Sequence, residues 1–275
     1  MSKLRGRIDF VVLAGVTLAN PNGDPLNGNR PRVDNDGYGM ISDVCIKRKI
    51  RDRIQDMGTP IFVQSEHRSN DGYRSLKERA ANTLELDKRK EAIIREAEEK
   101  YFDIRAFGQL FAFKGTELSV GIRGPVTIHQ ALSVSPVEIV SMQITKSVNS
   151  EDVKDGKKAS DTMGLKHMVR FGLYVIKGSV SAQLAEKTGF SQEDAENLKE
   201  ALRTLFENDA SAARPDGSME ICQMYWWQHE AATPSVSVAA VHKSVRVTPL
   251  TDIPLRFEDY EVVYTPVGDV KAEIF

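Results

Sequence analysis

The chain has little cysteine and histidine, which limits the metal and redox chemistry that its sequence can support. Its 275 residues include only Cys45 and Cys222, too few for a disulfide framework or a cysteine metal cluster. The five histidines are scattered, and no pair has the His-x-x-x-His spacing that places two zinc ligands on one helix face. The sequence therefore predicts no metal and no cofactor, and cytoplasmic location follows as the default.

Long hydrophobic runs are also missing. No apolar segment approaches the roughly 20 residues that a membrane-spanning helix needs. Residues 8–19 are apolar, but they are too short, contain Asp9 near their start and lack the small-residue cleavage site of a signal peptide. We interpret them as a buried strand, and we expect no membrane partner.

Motifs of several enzyme classes are absent as well. There is no Walker loop and no Gly-x-Ser-x-Gly elbow. The run Asp34–Gly37 is similar to a calcium loop, but Tyr38 stands where a ligand is needed and no Glu closes the loop. Acidic residues in the loop that begins at Asn20 could hold a metal for phosphodiester cleavage. The commoner arrangement is that Asn20, Asn22 and Asp24 hydrogen-bond nearby backbone as Asx turns.

The aromatic signature of RNA-recognition motifs is missing too. The segment Phe171-Gly-Leu-Tyr174 lacks the Lys/Arg-Gly start and the full aromatic spacing. Phe171 and Tyr174 are therefore expected in the core. The adjacent Trp226 and Trp227 are also expected in the core, although neighbours on a strand face opposite ways and one of them could lie at an interface.

What the chain does contain is an alternation of strand and helix patterns. Strands are predicted at 7–18, 126–134, 137–148, 163–180 and 219–229, and amphipathic helices at 42–57 and from Ser191 onward. Read coarsely, the order is strand, helix, strand, long excursion, strand, helix, strand, which is the order of two βαβ halves in ferredoxin-like folds. The excursion includes a polar, turn-rich segment at 149–162. A length of 275 residues fits one large domain with insertions.

The most distinctive stretch of the chain runs from Asn20 to Met57. Its first part is rich in Asn, Gly, Asp and Pro, which favour turns. Its second part predicts a helix over 42–57 that Ser42 or Asp43 can cap and that Gly58 ends. The apolar residues on one face of this helix are Ile46, Ile50, Ile54 and Met57.

Cations crowd the polar side of that predicted helix. Three form a band away from the apolar face and two flank its other edge, namely Lys47, Arg48 and Arg51, then Lys49 and Arg53. Residues 30–53 contain seven basic and four acidic residues, and seven minus four gives +3, whereas the whole chain carries −2. A phosphate backbone is the obvious partner for such a surface, and a merely solvated helix face explains the pattern equally well.

Several motifs along the chain resemble one family. They are Asn20-Pro-Asn-Gly-Asp-Pro25, Gly28-Asn-Arg-Pro-Arg32, Asp43-Val-Cys-Ile-Lys-Arg-Lys-Ile50, Gly121-Ile-Arg-Gly-Pro-Val126 and Thr162-Met-Gly-Leu-Lys-His167. Together they are similar to the backbone subunit of the CRISPR Cascade surveillance complex, in the Csd branch of type I-C. The resemblance spans nearly the whole chain.

The resemblance implies an α+β fold in which residues 1–275 form a single domain. Its palm would be a modified ferredoxin-like, RNA-recognition-type (RRM-like) unit, with helical fingers at about 60–105 and a β-hairpin thumb at about 137–168. It also implies that several copies line up head to tail along one guide RNA (crRNA), pair it with a target DNA strand and adjoin other Cascade subunits. Cleavage would belong to a recruited helicase-nuclease, so this chain is not expected to be an enzyme.

The same resemblance, with the charge pattern, selects residues for RNA contact. The expected contacts are Asn20, Asn22, Asn29, Arg30, Arg32, Lys47, Arg48, Lys49, Arg51, Arg53, Arg123, Lys166 and His167. Met142 and Met163 are candidates for an apolar wedge that separates stacked bases, and buried hydrophobic residues are the alternative for both.

Two other functions stay open from the sequence. One is a metal-dependent RNA endonuclease of the same superfamily, which an acidic residue essential for RNA cleavage would reveal. The other is a generic RNA-binding module, which would bind RNA as a discrete monomer rather than as a regular filament.

Overall fold

The computed structural model describes residues 2–113, 119–145 and 163–275. The helices of this part of the chain are α1 (Asp43–Asp56), α2 (Leu76–Thr83), α3 (Lys90–Lys100), α4 (Phe102–Phe107), α5 (Ala182–Thr188), α6 (Gln192–Arg203) and α7 (Val238–Lys243). The strands are β1 (Ile8–Ala19), β2 (Gly23–Asp24), β3 (Arg30–Pro31), β4 (Tyr38–Ile41), β5 (Gly108–Ala112), β6 (Ser119–Arg123), β7 (Val126–Ile128), β8 (Ala131–Pro136), β9 (Ile139–Thr145), β10 (Met163–Val180), β11 (Met219–Gln228), β12 (Val245–Pro249), β13 (Tyr260–Tyr264) and β14 (Glu273–Ile274). None of the helices in the described ranges is long and apolar enough to cross a membrane.

An antiparallel sheet lies at the centre of the fold. Its strands pair in the order β14-β11-β1-β10-β8-β4, and β7 and β9 also pair with β10. Strand β1 lies between β10 and β11, so that Ile8 is opposite Val180 on one side and Gln228 on the other. The expectation of a mixed α and β fold is confirmed, and the predicted strands at 163–180 and 219–229 correspond to β10 and β11.

The apolar run of β1 reflects burial on both faces of this sheet. Phe10 and Val12 lie in a core shared with α1 and α6, whereas Val11 and Leu13 lie in a second core shared with α7 and the β12–β13 hairpin. All four side chains are fully buried. A strand with one wet face would alternate polar and apolar residues, and here both faces are covered.

The two adjacent tryptophans of β11 are divided between the same two cores. Trp226 stacks on Phe10, with 5.8 Å between the ring centroids. Trp227 faces the other way and donates its indole N–H to the Tyr264 hydroxyl at 3.3 Å. Both are fully buried, because the C-terminal hairpin covers the second face, so neither is left at the surface for an interface.

A third, smaller core joins helices α2, α3 and α4 to the β5–β6 pair. It includes Phe62, Tyr101 and Phe111, and the Phe62 ring lies 5.3 Å from each of the other two. Helix α3 contributes the fully buried Ala97, and Ile94 packs against the same cluster. This segment therefore packs around its own apolar cluster beside the central sheet.

Helix α1 begins and ends where its sequence predicts. The Ser42 hydroxyl accepts a hydrogen bond from the Cys45 N–H and so caps the first turn. At the other end, Gly58 adopts a φ of 84°, a left-handed conformation that glycine tolerates best. Ile46, Ile50 and Ile54 are buried against the sheet, as the four-residue spacing predicts.

Strands β9 and β10 form a two-stranded ribbon that continues beyond the central sheet. They pair antiparallel from Met163 opposite Thr145 to Val169 opposite Ile139. We call residues 139–145 and 163–169 the ribbon. The predicted polar excursion at 149–162 lies outside the described residues.

Candidate nucleic-acid interface

The loop that follows β1 is held in shape by its own asparagines. Asn20 is buried, and its side-chain amide donates to the Asn29 backbone carbonyl at 2.6 Å. The Asn22 side-chain oxygen accepts from the Ser42 N–H at 2.9 Å, which ties the loop to the start of α1. Asn20 and Asn22 thus bond backbone groups 9 and 20 residues away rather than forming the expected Asx turns, whereas Asp24 does form a local turn by accepting from the Leu26 N–H at 3.2 Å. RNA contact by Asn20 and Asn22 stays a prediction.

Beyond Asn22 the loop forms a short hairpin, in which β2 pairs with β3. Gly28 and Asn29 have φ of 57° and 55°, so both adopt the left-handed conformation that reverses the chain. A Cβ at Gly23 would lie 2.0 Å from the Asn29 side-chain oxygen, so any other residue there would have to displace the Asn29 side chain. The hairpin presents Leu26, which is 97% exposed, at its tip.

Two of the expected RNA-binding residues meet where this loop touches the ribbon. The Arg30 guanidinium lies 3.3 Å from Nδ1 of His167, and the Ser141 hydroxyl lies 2.8 Å from the same nitrogen. Arginine can only donate, so Nδ1 accepts and the imidazole proton is on Nε2. His167 is buried and links the loop to both ribbon strands, whereas the half-buried Arg30 stays accessible.

The ribbon exposes apolar and cationic side chains together. Met142 and Leu165 are 46% and 66% exposed, and Ile144 is similarly exposed. Lys166 is opposite Met142 in the register, so the two side chains share a face, and Lys166 has no ion-pair partner in the described ranges. Met163 is the first residue of β10 and pairs with Thr145.

The five α1 cations, which we call the helix cations, are in different surroundings. Each one forms an ion pair with a carboxylate of the same chain. The pairs are Lys47–Asp43, Arg48–Asp52, Lys49–Asp209, Arg51–Asp103 and Arg53–Glu207. Lys49 is buried, and burial lowers the pKa of its ammonium, although Asp209 opposes that shift.

The picture of a cationic band on an open helix face is therefore wrong. The count of +3 over residues 30–53 omits Asp103, Glu207 and Asp209, which the fold brings to α1 from distant parts of the sequence. Arg51 illustrates the consequence, since it also stacks on the Phe107 ring, 4.9 Å from its centroid. The contact of these five residues with phosphate stays a prediction.

Comparison with known proteins gives the family. The family model of CRISPR-associated protein Cas7 matches residues 6–265, nearly the whole chain. The chain belongs to the Cas7 family. A Cas7 protein of Haloferax volcanii is 29% identical over 217 residues, which are 70% of this chain and 62% of that protein. The chain thus spans less than two thirds of the length of this curated relative.

A solved structure shares the fold of this chain. A chain of a CRISPR RNA-guided surveillance complex in a pre-nicking state matches with a TM-score of 0.52. The match covers 80% of this chain and 78% of that one, at 14% sequence identity. At this identity the likeness concerns the arrangement of strands and helices alone.

In this Cas7-family chain, the Gly121–Pro125 motif serves close packing. A Cβ at Gly124 would lie 2.3 Å from the Ala106 carbonyl oxygen, and one at Gly108 would lie 2.2 Å from that of Ile122. The absence of side chains lets β6 run against the end of α4. Arg123 is exposed on β6 with no ion-pair partner in the described ranges, on a two-stranded sheet separate from the hairpin and ribbon.

The two cysteine thiols of this Cas7-family chain are not activated. Burial raises the pKa of the Cys45 thiol, and it raises the pKa of Cys222 to about 12, so both thiols stay protonated at neutral pH. Within the described ranges, no group of three His, Cys, Asp or Glu residues is arranged to hold a metal ion.

Sequence reasoning missed three residues of this surface. Ser141 completes the contact at His167, and Leu26 and Leu165 are among its most exposed apolar side chains. The pairing of residues 139–145 with 163–169 was the signal that could have found Ser141 and Leu165, because it decides which side chains share a face.

Proposed function

We propose that this chain is a backbone subunit of a type I-C CRISPR Cascade complex that binds the guide RNA. Copies of the chain would line up head to tail along one crRNA and present it to a target DNA strand. Other Cascade subunits would occupy the ends, and a recruited helicase-nuclease would cut the target. The role proposed for the chain is binding and assembly, not catalysis.

The meeting of loop and ribbon is the observation that carries this proposal. Arg30, Arg32 and Lys166, which we call the ribbon-side cations, are all partly accessible next to exposed apolar side chains. Single-stranded nucleic acid needs this mixture, because cations neutralise its phosphates while apolar groups contact its bases. Family membership over residues 6–265 supports the same reading.

The proposal assigns three parts to the fold. The palm is a modified ferredoxin-like, RRM-like unit, supported by the antiparallel order β11-β1-β10-β8 and by α1 and α6 in a common core on one face. The fingers are residues 60–105, supported by their own small core. The thumb is residues 137–168, of which the ribbon is the described part.

The proposal also ranks the expected RNA contacts by accessibility. The ribbon-side cations and Arg123 come first, because a phosphate can reach them without displacing a strong buried ion pair; Arg32 lies 3.4 Å from Asp24 but stays half exposed. The helix cations come second, since each already forms an ion pair with a carboxylate. Met142, one of the two wedge candidates, has an exposed side chain.

Copurification tests the proposed function. The chain would be expressed with a guide-encoding array and with neighbouring genes, and the bound RNA would be sized. RNA of fixed length, with several protein copies per RNA and reactive nucleotides at a regular interval, is the expected result. One protein per RNA at every RNA length, with a uniform footprint, would leave only a generic RNA-binding module.

A further inference from the structure

A partly open cavity lies beside α1. It is bounded by α1, by the segment around Ser65–Arg68 and by the loop that follows α6, and its volume is about 300 Å³. The charged residues of its lining are Arg48, Lys49, Asp52, Arg68, Asp209 and Arg214. Four cations and two carboxylates leave a charge of four minus two, or +2.

The ion pairs among the lining residues leave some polar atoms of the cavity wall without a partner. One terminal nitrogen of Arg48 is buried without a hydrogen-bond partner, and so is the hydroxyl of Ser65. Asp52 lies 3.0 Å from the Arg48 Nε and forms an ion pair with it, which leaves the terminal nitrogen of Arg48 and the Ser65 hydroxyl as the donors without a partner. Buried donors without an acceptor destabilise a fold, so their presence beside a cavity indicates an acceptor that enters it.

The desolvation of these charged groups strengthens the argument for an anion. Burial lowers the pKa of Arg48 and Lys49 and raises the pKa of Asp52, although in each case a neighbouring opposite charge acts against the shift. Charges in such surroundings are weakly screened, so an anion that enters would interact strongly with the excess cations.

We propose that this cavity binds one phosphate group. Arg48 and Ser65 would supply the unpartnered donors, and Arg68 and Arg214 would add charge at the rim, since guanidinium groups bind phosphate oxygens in a bidentate manner. The phosphate could belong to an RNA chain or to free phosphate. Only an RNA source rests on the proposed function.

The first test uses inorganic phosphate and the whole chain. The thermal unfolding midpoint of the wild-type protein should rise with phosphate and level off, compared with sodium chloride at equal ionic strength. Ser65→Ala, which removes a donor and no charge, should weaken the apparent phosphate affinity about fivefold. Ser119→Ala, at an exposed position on β6, is the matched control and should leave it unchanged.

Asp52→Asn should change the apparent phosphate affinity in the opposite direction. It removes a carboxylate from the lining, so it should tighten phosphate binding even if it lowers the unfolding midpoint in chloride. Arg214→Gln should weaken binding about tenfold. The proposal is overturned if phosphate has no effect beyond ionic strength on the wild-type protein, or if Ser65→Ala and Asp52→Asn bind phosphate as the control does.

A competition experiment decides the source of the phosphate. If RNA supplies it, inorganic phosphate should compete with guide RNA, and Ser65→Ala should weaken RNA binding by the same factor. If free phosphate is the ligand, RNA affinity should be equal in the wild-type protein and in Ser65→Ala. A chain that binds phosphate but recovers no RNA on copurification would refute the proposed function, while the proposal that the cavity binds phosphate would stand.

Discussion

The helix cations and the ribbon-side cations have similar charge in the sequence and opposite surroundings in the fold. Arg51 bonds Asp103, which is 1% exposed and also accepts the backbone N–H groups of Phe62 and Val63. Lys166, in contrast, forms no ion pair in the described ranges and lies opposite Met142 on the ribbon. The comparison teaches that the density of charge along a helix does not measure the charge available to a ligand.

The difference has an energetic reason. A buried ion pair already satisfies its cation, so a phosphate that binds there must displace the carboxylate and leave it desolvated. A half-exposed cation loses only water and counterions when it binds phosphate, and the release of counterions favours binding. We therefore expect substitutions at helix cations with a buried partner, such as Arg51, to affect folding and substitutions at the ribbon-side cations to affect RNA binding.

The largest expected effect is that of Arg51→Ala on stability. The change leaves the buried Asp103 carboxylate without its cation, which should lower the free energy of unfolding by about 3–5 kcal/mol. Urea unfolding measures this. Lys47→Ala is the control, since its i,i+4 pair with Asp43 is partly exposed and should contribute under about 0.5 kcal/mol. Equal stability of the two variants would show that the Arg51–Asp103 pair does not stabilise the fold and that Arg51 is available to a ligand.

The next effect concerns RNA affinity. Replacing Arg30 and Lys166 together by Ala should weaken binding of single-stranded RNA of any sequence about tenfold and reduce the salt slope by roughly one to two units. Titrations at several salt concentrations measure both quantities. The matched pair Lys243→Ala and Arg246→Ala, exposed near the C-terminal hairpin, should change neither. Similar losses in both double variants would mean that RNA binding is diffuse.

Glu98 is a partly buried carboxylate that forms no ion pair in the described ranges, so it shows what burial does to a charge without a partner. Burial raises its pKa to about 7 from 4.5, although Arg105 opposes the shift. The folded state therefore favours the protonated form, so this contribution to stability is complete below pH 4.5 and is lost as the pH rises through 7. Because the group is half exposed and screened, Glu98→Gln should stabilise the protein by no more than about 1 kcal/mol at pH 8 and by nothing at pH 4.

Unfolding at these two pH values, with the exposed neighbour Glu99→Gln as control, tests this sign. A gain for Glu98→Gln that is the same at both pH values would show that its charge is not responsible.

The smallest effect on stability is expected at the ribbon. Met142 is 46% exposed, so Met142→Ala should change the free energy of unfolding by under about 0.5 kcal/mol. If Met142 is the wedge, the same variant should remove the periodic reactive nucleotides from the footprint of bound guide RNA. Leu165→Ala is the control, because the register places it on the other face of the ribbon. Loss of the pattern in Leu165→Ala alone would assign the wedge to that face.

Much of the fold follows from patterns within short stretches of sequence. The spacing of Ile46, Ile50 and Ile54 predicts α1 and its buried face, and Ser42 predicts its start. Ser191 likewise predicts the start of α6, where it forms a capping box with Asp194. The predicted strand at 126–134 is divided into β7 and β8, because the chain changes partner from the end of β10 to its middle and to β4.

Short-range patterns predict most of the helices and strands and their apolar faces, because these properties repeat every two to four residues. Which cations a ligand can reach depends instead on how distant segments pack together. Arg51 pairs with a carboxylate 52 residues away, and Lys49 with one 160 residues away. Such pairs depend on packing between distant segments, and burial and pairing together decide how strongly a charge interacts with a ligand.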